Sequence, residues 1–316
     1  MKIGLFTDGL AHLPFHDALD LAASLGLQAV EIGTGNFSPA RHCDLEAMLS
    51  SAGERRRFLD ALESRDLTLS ALNCSGNPLH PDEAKAASAR DVVKRTMALA
   101  GELGLDRIVA MSGCPGTPDG SGYSHWVTVR WPPEMIDLLR WQWEERVLPY
   151  WREMAAWARQ HGVTRICLEL HPGMAVFNPA TLDRLRAGVG EIVGANLDPS
   201  HFFWQGIDPI AAARALGRAV YHTHAKDTRI DRRATSVNGV LNAQWPGPEG
   251  DVAWTFATMG YGHGELFWKQ FYYTLRQIGY DDILSIEYED EGVGAEESIR
   301  KSAAFLRQVA FTGDEA

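Results

Sequence analysis

A strand, a helix and a second strand follow one another within residues 162–201, and this segment constrains the fold most strongly. Its two apolar runs, GVTRICLELHP and EIVGANLDPSH, end in ionisable side chains, with Glu169 in the first and Asp198 in the second. Between them, FNPATLDRLRAGVG has a helix-start pattern, with Asn178 as N-cap and Pro179 at the first helical position. Because parallel strands need a crossover connection, usually a helix, this order is typical of a βα unit in a parallel sheet.

The same alternation extends over the chain of 316 residues, and no Pro/Gly/Ser-rich linker divides it. Eight apolar runs alternate with about eight helical segments, which predicts a single-domain (β/α)₈ TIM barrel spanning residues 1–316. We place the strands at residues 2–7, 28–32, 67–72 and 107–111, in the two runs quoted above, and at residues 219–224 and 283–287.

Long connections follow the fourth and the seventh predicted strands, at residues 112–133 and 226–264. We interpret both as irregular segments that leave strand ends on the side where barrel active sites lie. Loops longer than about 12–15 residues are usually functional or disordered. We therefore expect a lid that selects the substrate, although exposed tryptophans also mark oligomer contacts. The aromatic residues of this predicted lid are Tyr123, Trp126, Trp131, Trp245 and Trp254.

Composition narrows the class of protein. A formal charge of −11 and a pI near 5.5 argue against a nucleic-acid surface, which needs a basic footprint. No apolar run approaches membrane-spanning length, and MKIGLFTDGL lacks the apolar core of a signal peptide. The cysteines lie far apart without a CxxC pair, which indicates buried, reduced thiols. We therefore expect a cytoplasmic protein that binds neither nucleic acid nor membranes.

The carboxyl ends of the last four predicted strands carry residues that can bind a metal ion. These residues are Glu169, Asp198, His224 and Glu287. Any one of them could instead cap a helix or form an ion pair, but that explanation is hard to extend to four consecutive strands. A mixed set of oxygen and nitrogen ligands suits one divalent ion, with Mn²⁺ the first choice and Mg²⁺, Co²⁺ or Zn²⁺ as alternatives.

Two further residues lie close to the seventh strand end. His222 and His224 are two positions apart, so both side chains face the same way on a strand. One of them can bind the metal while the other contacts the substrate or orients the ligands. Lys226 can hold an anionic group of the substrate, or it can simply be solvated at the rim.

Two histidines follow the fifth and sixth strands. His201 lies three residues after Asp198, within reach of the same site, and is a candidate for both catalysis and substrate binding. His171 lies two residues after Glu169 and can either contact the substrate or cap the loop.

The motifs LELHP, NLDPSHFFWQG, HTHAKD and LSIEYED resemble the sugar phosphate isomerase/epimerase group of xylose isomerase-like TIM barrels. This group includes ketose 3-epimerases, hydroxypyruvate isomerase and inosose dehydratase. LAASLGLQAVEIG resembles its usual first βα unit, so the resemblance covers nearly the whole chain. The resemblance implies one divalent metal bound by Glu169, Asp198, His224 and Glu287. Ile230 stands where a ketose 3-epimerase would have Arg, which argues against a free ketohexose as substrate.

These residues could catalyse proton transfer next to a sugar carbonyl. A divalent ion that chelates the carbonyl would stabilise the enediolate formed when the α-proton leaves. Glu169 and Glu287 would remove and return the proton, and His201 would donate a hydrogen bond to the developing oxyanion. Return to the same carbon is epimerisation, and return to its neighbour is isomerisation. We therefore expect a metal-dependent isomerase or epimerase of a sugar or keto-sugar, assembled as a homo-oligomer.

Three alternatives stay open. Loss of a β-leaving group would make the protein a lyase or dehydratase acting on keto-sugars or 3-oxo-glycosides, and the aromatic lid favours this because a bulky aglycone needs apolar walls. His125 would then be an additional acid or base, beside Trp126. A metal nuclease of the endonuclease IV type shares the barrel and the Asp-x-x-His spacing, but the chain lacks the basic DNA face. A barrel that only binds sugars is the third alternative.

Overall fold

Eight parallel strands form a closed barrel in the computed structural model of the protein, which describes residues 1–242 and 252–311. The strands of the described residues are β1 (Lys2–Phe6), β2 (Ala29–Gly33), β3 (Thr68–Asn73), β4 (Arg107–Met111), β5 (Arg165–Glu169), β6 (Val193–Leu197), β7 (Val220–Ala225), β8 (Asp227–Ile230), β9 (Trp254–Ala257) and β10 (Ile283–Ile286). Around the barrel the order is β1-β10-β7-β6-β5-β4-β3-β2. The predicted (β/α)₈ barrel is confirmed.

Helices surround the barrel and follow its strands in turn. They are α1 (Phe15–Ser24), α2 (Leu45–Ser50), α3 (Ala52–Glu63), α4 (Glu83–Glu102), α5 (Glu134–Trp141), α6 (Leu148–Gln160), α7 (Pro179–Val189), α8 (Ser200–Phe203), α9 (Pro209–Leu216), α10 (Arg232–Asn238), α11 (Glu265–Gln277) and α12 (Ala295–Val309). A π-helical turn over Gln142–Val147 joins α5 to α6. Within the described residues, none of these helices is long and apolar enough to cross a membrane.

The helix boundaries follow the capping residues expected from the sequence. Asn178 accepts a hydrogen bond from the backbone N–H of Thr181, whose side chain accepts from the Asn178 backbone, and Pro179 opens α7. Asp82 caps the first turn of α4 in a similar way. Gly26 follows α1 with a φ of 64°, a conformation that glycine adopts without strain.

Buried aromatic side chains of the outer helices pack around the barrel. Trp151 of α6 and Trp268 of α11 are fully buried. The indole N–H of Trp151 donates to the carbonyl oxygen of Ser112 at 3.0 Å, which ties α6 to the carboxyl end of β4. Such contacts hold the strand ends, and therefore the site, in a fixed frame.

Within residues 226–264, the described parts, 226–242 and 252–264, are not the irregular segment expected from the sequence. Strands β8 and β9 pair in antiparallel fashion outside the barrel, with Asp227 opposite Ala257 and Ile230 opposite Trp254. Helix α10 lies between the two strands in the chain. The expectation was wrong because each strand has only four residues, DTRI and WTFA, which is too short for a clear alternation.

One buried carboxylate anchors the base of this β8–β9 ribbon. Asp227 Oδ2 accepts hydrogen bonds from the backbone N–H groups of Gly260, Gly262 and His263 at 3.1, 2.9 and 2.9 Å. Its other oxygen lies 2.9 Å from His263 Nδ1. Asp227 therefore fixes the chain after β9 against the end of β7.

Candidate active site

Four strand ends converge at the carboxyl edge of the barrel. The register pairs Glu169 of β5 with Asn196 of β6, and His224 of β7 with Ser285 of β10. The barrel thereby brings together the four predicted ligands, Glu169, Asp198, His224 and Glu287. Each of them offers one ligand atom, and these atoms all lie within 4.8 Å of one another. Glu169, Asp198 and His224 are buried.

Two buried atoms of this cluster face charged groups without a well-aligned hydrogen bond among the residues that the structure describes. They are Asp198 Oδ2, which lies 3.1 Å from Lys226 Nζ, and His224 Nδ1, which lies 3.0 Å from Glu287 Oε2. A divalent cation would serve both atoms at once, and their chemistry fits Mn²⁺ or Zn²⁺.

Lys226 lies inside the cluster rather than at its rim. Its Nζ is 2.6 Å from Glu287 Oε2, 2.9 Å from Glu289 Oε2 and 3.1 Å from Asp198 Oδ2. The side chain is 2% exposed, so a lysine solvated at the rim is the wrong interpretation. With Glu169, four carboxylates surround one ammonium group. The surplus of negative charge favours an additional cation.

The two glutamates have opposite electrostatic environments in the metal-free protein. Burial, followed by the charge of Glu287, raises the pKa of Glu169 to about 7. Burial would also raise the pKa of Glu287, but the charges of His224 and Lys226 hold it well below its usual value. Near neutral pH, therefore, Glu169 can gain and lose a proton while Glu287 is ionised.

A carboxylate from β2 holds the imidazole of His224 from behind. Glu31 is fully buried, and its Oε1 lies 3.1 Å from His224 Nε2. His224 Nδ1 is thereby turned toward the cluster, where it lies 3.0 Å from Glu287 Oε2. A carboxylate behind a metal-binding histidine fixes its tautomer and ring orientation. Glu31 is therefore a candidate positioning residue.

Three other donors surround the same carboxylate. His222 Nε2 lies 2.8 Å from Glu31 Oε2, Ser285 Oγ donates to that oxygen at 2.9 Å, and Asn73 Nδ2 donates to Oε1 at 2.7 Å. His222 is fully buried, and it lines neither of the two cavities described below. It lies beside Glu31, as expected of a residue that orients the ligands.

The two histidines after β5 and β6 lie on one side of the cluster. His201 Nε2 lies 2.8 Å from Glu169 Oε1, and burial lowers the pKa of His201 to about 4. As a neutral ring His201 can donate to Glu169 and hold it in place. The ring of His171 packs edge-on against His201 at 4.2 Å, and burial lowers its pKa to about 4 as well.

Two cavities open at this end of the barrel and share Glu289. The first, here called the metal chamber, has a volume of about 480 Å³ and is lined by Glu169, His171 and Glu287 among others. The second, here called the distal chamber, has a volume of about 920 Å³ and is mainly apolar. Both volumes lie in the range of small-molecule sites.

The residues of the predicted lid separate into two groups. Trp126 of the first long connection and Trp254 of the second line the distal chamber together. Tyr123 and Trp131 are 85% and 77% exposed. Trp245 lies outside the described residues. A substrate-selecting lid stays a prediction, carried now by Trp126 and Trp254 alone.

His125 is exposed and lines neither chamber. Its backbone serves the loop, because its N–H donates to Pro115 and its carbonyl oxygen accepts from Gln142. The structure therefore does not bring His125 into the cluster with Glu169, whereas the neighbouring Trp126 lines the distal chamber.

Two residues of the site had no role assigned from the sequence. Glu31 lies near the carboxyl end of the second strand, QAVEI, and so carries a strand-end signal similar to that of Glu169. Glu289 lies two positions after Glu287. Both signals were present, but only the closed barrel shows which partners these carboxylates have.

Comparison with solved structures supports the fold. IolI, a protein solved with a bound zinc atom, superposes with a TM-score of 0.65 at 19% identity, covering 100% of both chains. L-ribulose 3-epimerase superposes with a TM-score of 0.63 at 18% identity, covering 97% of this chain and 93% of its own. At such identities the similarity establishes the architecture.

Sequence comparison establishes the family. The uncharacterised protein YfiH of Bacillus subtilis is 45% identical over 311 residues, which cover 98% of this chain and 99% of YfiH. Residues 19–309 match the family described as the xylose isomerase-like TIM barrel. The resemblance noted in the sequence is thus confirmed, and the chain belongs to the xylose isomerase-like TIM barrel family.

Proposed function

We propose that the protein is a divalent-metal-dependent isomerase or epimerase that moves a proton next to the carbonyl of a sugar or keto-sugar. The observation that carries this proposal is the convergence of the four candidate ligands, within 4.8 Å of one another, at the carboxyl edge of the barrel. That edge is where barrel enzymes carry their active sites.

Glu169, Asp198, His224 and Glu287 would hold the ion. We propose Mn²⁺ first, with Mg²⁺, Co²⁺ or Zn²⁺ as alternatives, and the zinc atom bound in the similar IolI structure supports a metal-binding barrel. A divalent ion held there would polarise the substrate carbonyl and would stabilise the negative charge that develops when the neighbouring proton leaves.

Glu169 and Glu287 would transfer the proton. Glu169 ends β5 and Glu287 follows β10, with β6 and β7 between the two strands, and so the glutamates would approach a substrate carbon from different directions. His201 holds one oxygen of Glu169, and Lys226 holds one oxygen of Glu287. Each glutamate therefore has one oxygen fixed, which orients the other for proton transfer.

The remaining candidates position the substrate. His171 lines the metal chamber beside Glu169, where it can contact a sugar hydroxyl. Lys226 lines neither chamber, and its charge would reach the substrate through Glu287, which lies 2.6 Å from its Nζ. His222 acts indirectly through Glu31. The similarity to L-ribulose 3-epimerase supports a small carbohydrate as substrate. We further propose a cytoplasmic homo-oligomer that binds neither nucleic acid nor membranes.

Solvent deuterium exchange tests the proposal. Protein loaded with Mn²⁺ is incubated with a panel of ketoses and keto-sugars in D₂O, and the products are read by NMR. We expect deuterium at the carbon next to the carbonyl, and a large loss of exchange in Glu169→Gln. Full exchange in that variant would contradict the role of Glu169. A protein that exchanges nothing but cuts abasic DNA would be a nuclease instead.

Elimination is the second candidate reaction, and one observation favours it. The larger, apolar cavity directly adjoins the metal chamber through Glu289, so a substrate with a bulky leaving group has room. The same NMR experiment separates the two reactions, because a lyase releases the leaving group and an epimerase keeps it.

A further inference from the structure

The distal chamber is larger and more aromatic than a single sugar requires. Its volume of about 920 Å³ is nearly twice that of the metal chamber, about 480 Å³. The rings of Trp204 and Trp254 stack face to face within it, with centroids 4.5 Å apart and planes inclined by 8°. Val252 and Val293 continue the apolar wall. Aliphatic and indole surfaces of this kind favour a flat apolar ring over a hydroxylated one.

The two chambers are neighbours that meet at a shared lining residue. Phe256 lines the distal chamber, and Lys226 Nζ lies 4.5 Å from the centroid of its ring. The ring of His201 meets Phe256 edge-on at 5.5 Å. Glu289 lines both chambers and pairs with Lys226 at 2.9 Å. A ligand that extends past Glu289 would have one end beside the metal ligands and the other end beside the tryptophans.

Charge excludes an anionic occupant. The lining of the distal chamber includes the acidic side chains of Glu289, Asp290 and Glu291 and one basic side chain, Arg229. A phosphate group would meet a surplus of negative charge there, as it would in the metal chamber. An uncharged group fits both chambers better.

The aromatic wall is held in place before any ligand binds. Trp254 and Phe256 lie on β9, which pairs with β8, and Asp227 binds the backbone that follows β9. Trp204 comes from the segment after β6 and packs against Trp254. A preformed surface binds a rigid ring without having to order itself first.

We infer that the distal chamber binds an uncharged aromatic group joined to the reacting sugar, so that the substrate is an aryl glycoside with an oxidised sugar ring. This inference rests on the proposed function for the sugar half of the molecule. The aromatic half is bound by Trp204, Trp254 and Phe256, outside the metal cluster.

A binding experiment tests the chamber independently of catalysis. Isothermal titration of the Mn²⁺-loaded protein compares 4-nitrophenyl glucoside with methyl glucoside, each as both anomers. We expect the aryl compound to bind at least about tenfold more tightly, since it buries a whole aromatic ring. Equal affinity for the aryl and methyl compounds would overturn the inference.

Variants locate the binding surface. Two variants, Trp254→Ala and Trp254→Leu, should bring the affinity ratio of the two glycosides close to one. Trp254→Leu keeps an apolar side chain against Trp204. Tyr123→Ala is the matched control, because Tyr123 is an aromatic residue that is 85% exposed. It should keep the ratio of the parent. A ratio that survives in both Trp254 variants would place the aromatic group elsewhere and overturn the inference.

A kinetic experiment separates this inference from the proposed function. The 3-oxo derivatives of the same two glycosides are compared for exchange in D₂O. We expect the KM of the aryl compound to be lower by about tenfold, with the difference lost in Trp254→Leu. Exchange with equal KM values would overturn the inference alone. If neither compound exchanges but the aryl glycoside still binds through Trp254, the chamber stands and the proposed chemistry fails.

Discussion

Replacing Glu31 by Gln tests whether the carboxylate behind His224 controls metal binding. Glu31 has two oxygens and four donors around them: Asn73 and His224 at Oε1, and His222 and Ser285 at Oε2. In Glu31→Gln one oxygen becomes an NH₂ group, which cannot accept. If the NH₂ group replaces Oε2, His222 loses its acceptor, and if it replaces Oε1, His224 keeps only the 3.2 Å contact with Oε2 while it faces an NH₂ group at Oε1.

The magnitude follows from that loss. Each buried donor left without an acceptor destabilises the protein by about 1–3 kcal/mol, so the variant should lose about 2–5 kcal/mol of folding free energy. Loss of a carboxylate behind a metal-binding histidine typically weakens metal binding about 10–100-fold, or about 1.4–2.7 kcal/mol. The effect on metal binding arises because His224 Nδ1 is no longer held toward the cluster.

Competition with a chromophoric chelator measures the affinity for Zn²⁺ or Mn²⁺, and urea unfolding measures stability. Ser285→Ala is the matched control, because it removes one hydrogen bond from the same carboxylate and leaves the contact with His224 intact. We expect it to change metal affinity by less than about threefold. Two results would refute the reasoning. Glu31→Gln could bind the metal as tightly as the parent does, or Ser285→Ala could weaken metal binding as much as Glu31→Gln does.

Three further predictions concern catalysis, the ribbon and the thiols. Glu169→Gln and Glu287→Gln should each lower turnover by about 10²–10⁴-fold with the fold intact; a loss under about tenfold in either would make that residue structural only. Asp227→Ala leaves several buried donors without an acceptor and should lower the free energy of unfolding by about 3 kcal/mol or more; a urea midpoint like that of the parent would contradict this. Burial raises the pKa of all four cysteine thiols to about 12, so the native protein should not react with a thiol reagent at pH 8, whereas the unfolded chain should react at all four; rapid native labelling would show that they are not buried.

Strand ends were the most predictable part of the site. Glu169, Asp198 and Glu287 each end an apolar run, and the carboxyl ends of parallel strands must meet at one edge of a barrel. The pairing of Glu31 with His224 was not predictable in the same way. They lie 193 residues apart, and only closure of the barrel brings β2 opposite β7.

Burial and short-range pairing were the least predictable features. Nothing in HTHAKD distinguishes a solvated Lys226 from one surrounded by carboxylates, because those carboxylates come from distant strands. The β8–β9 ribbon was missed since each strand has four residues, and Asp227, the residue that fixes it, is indistinguishable by sequence from a surface aspartate. Tertiary contacts, rather than local propensity, determine both features.

The central claim is that a divalent ion binds among the four strand-end ligands, and anomalous scattering from a crystal of the Mn²⁺-loaded protein tests it most directly. The account predicts a single anomalous peak bounded by Glu169, Asp198, His224 and Glu287, with Lys226 Nζ moved away from Asp198, and no such peak in His224→Ala. An Mn²⁺-loaded crystal without a peak at this position, with Lys226 still 3.1 Å from Asp198, would contradict the account.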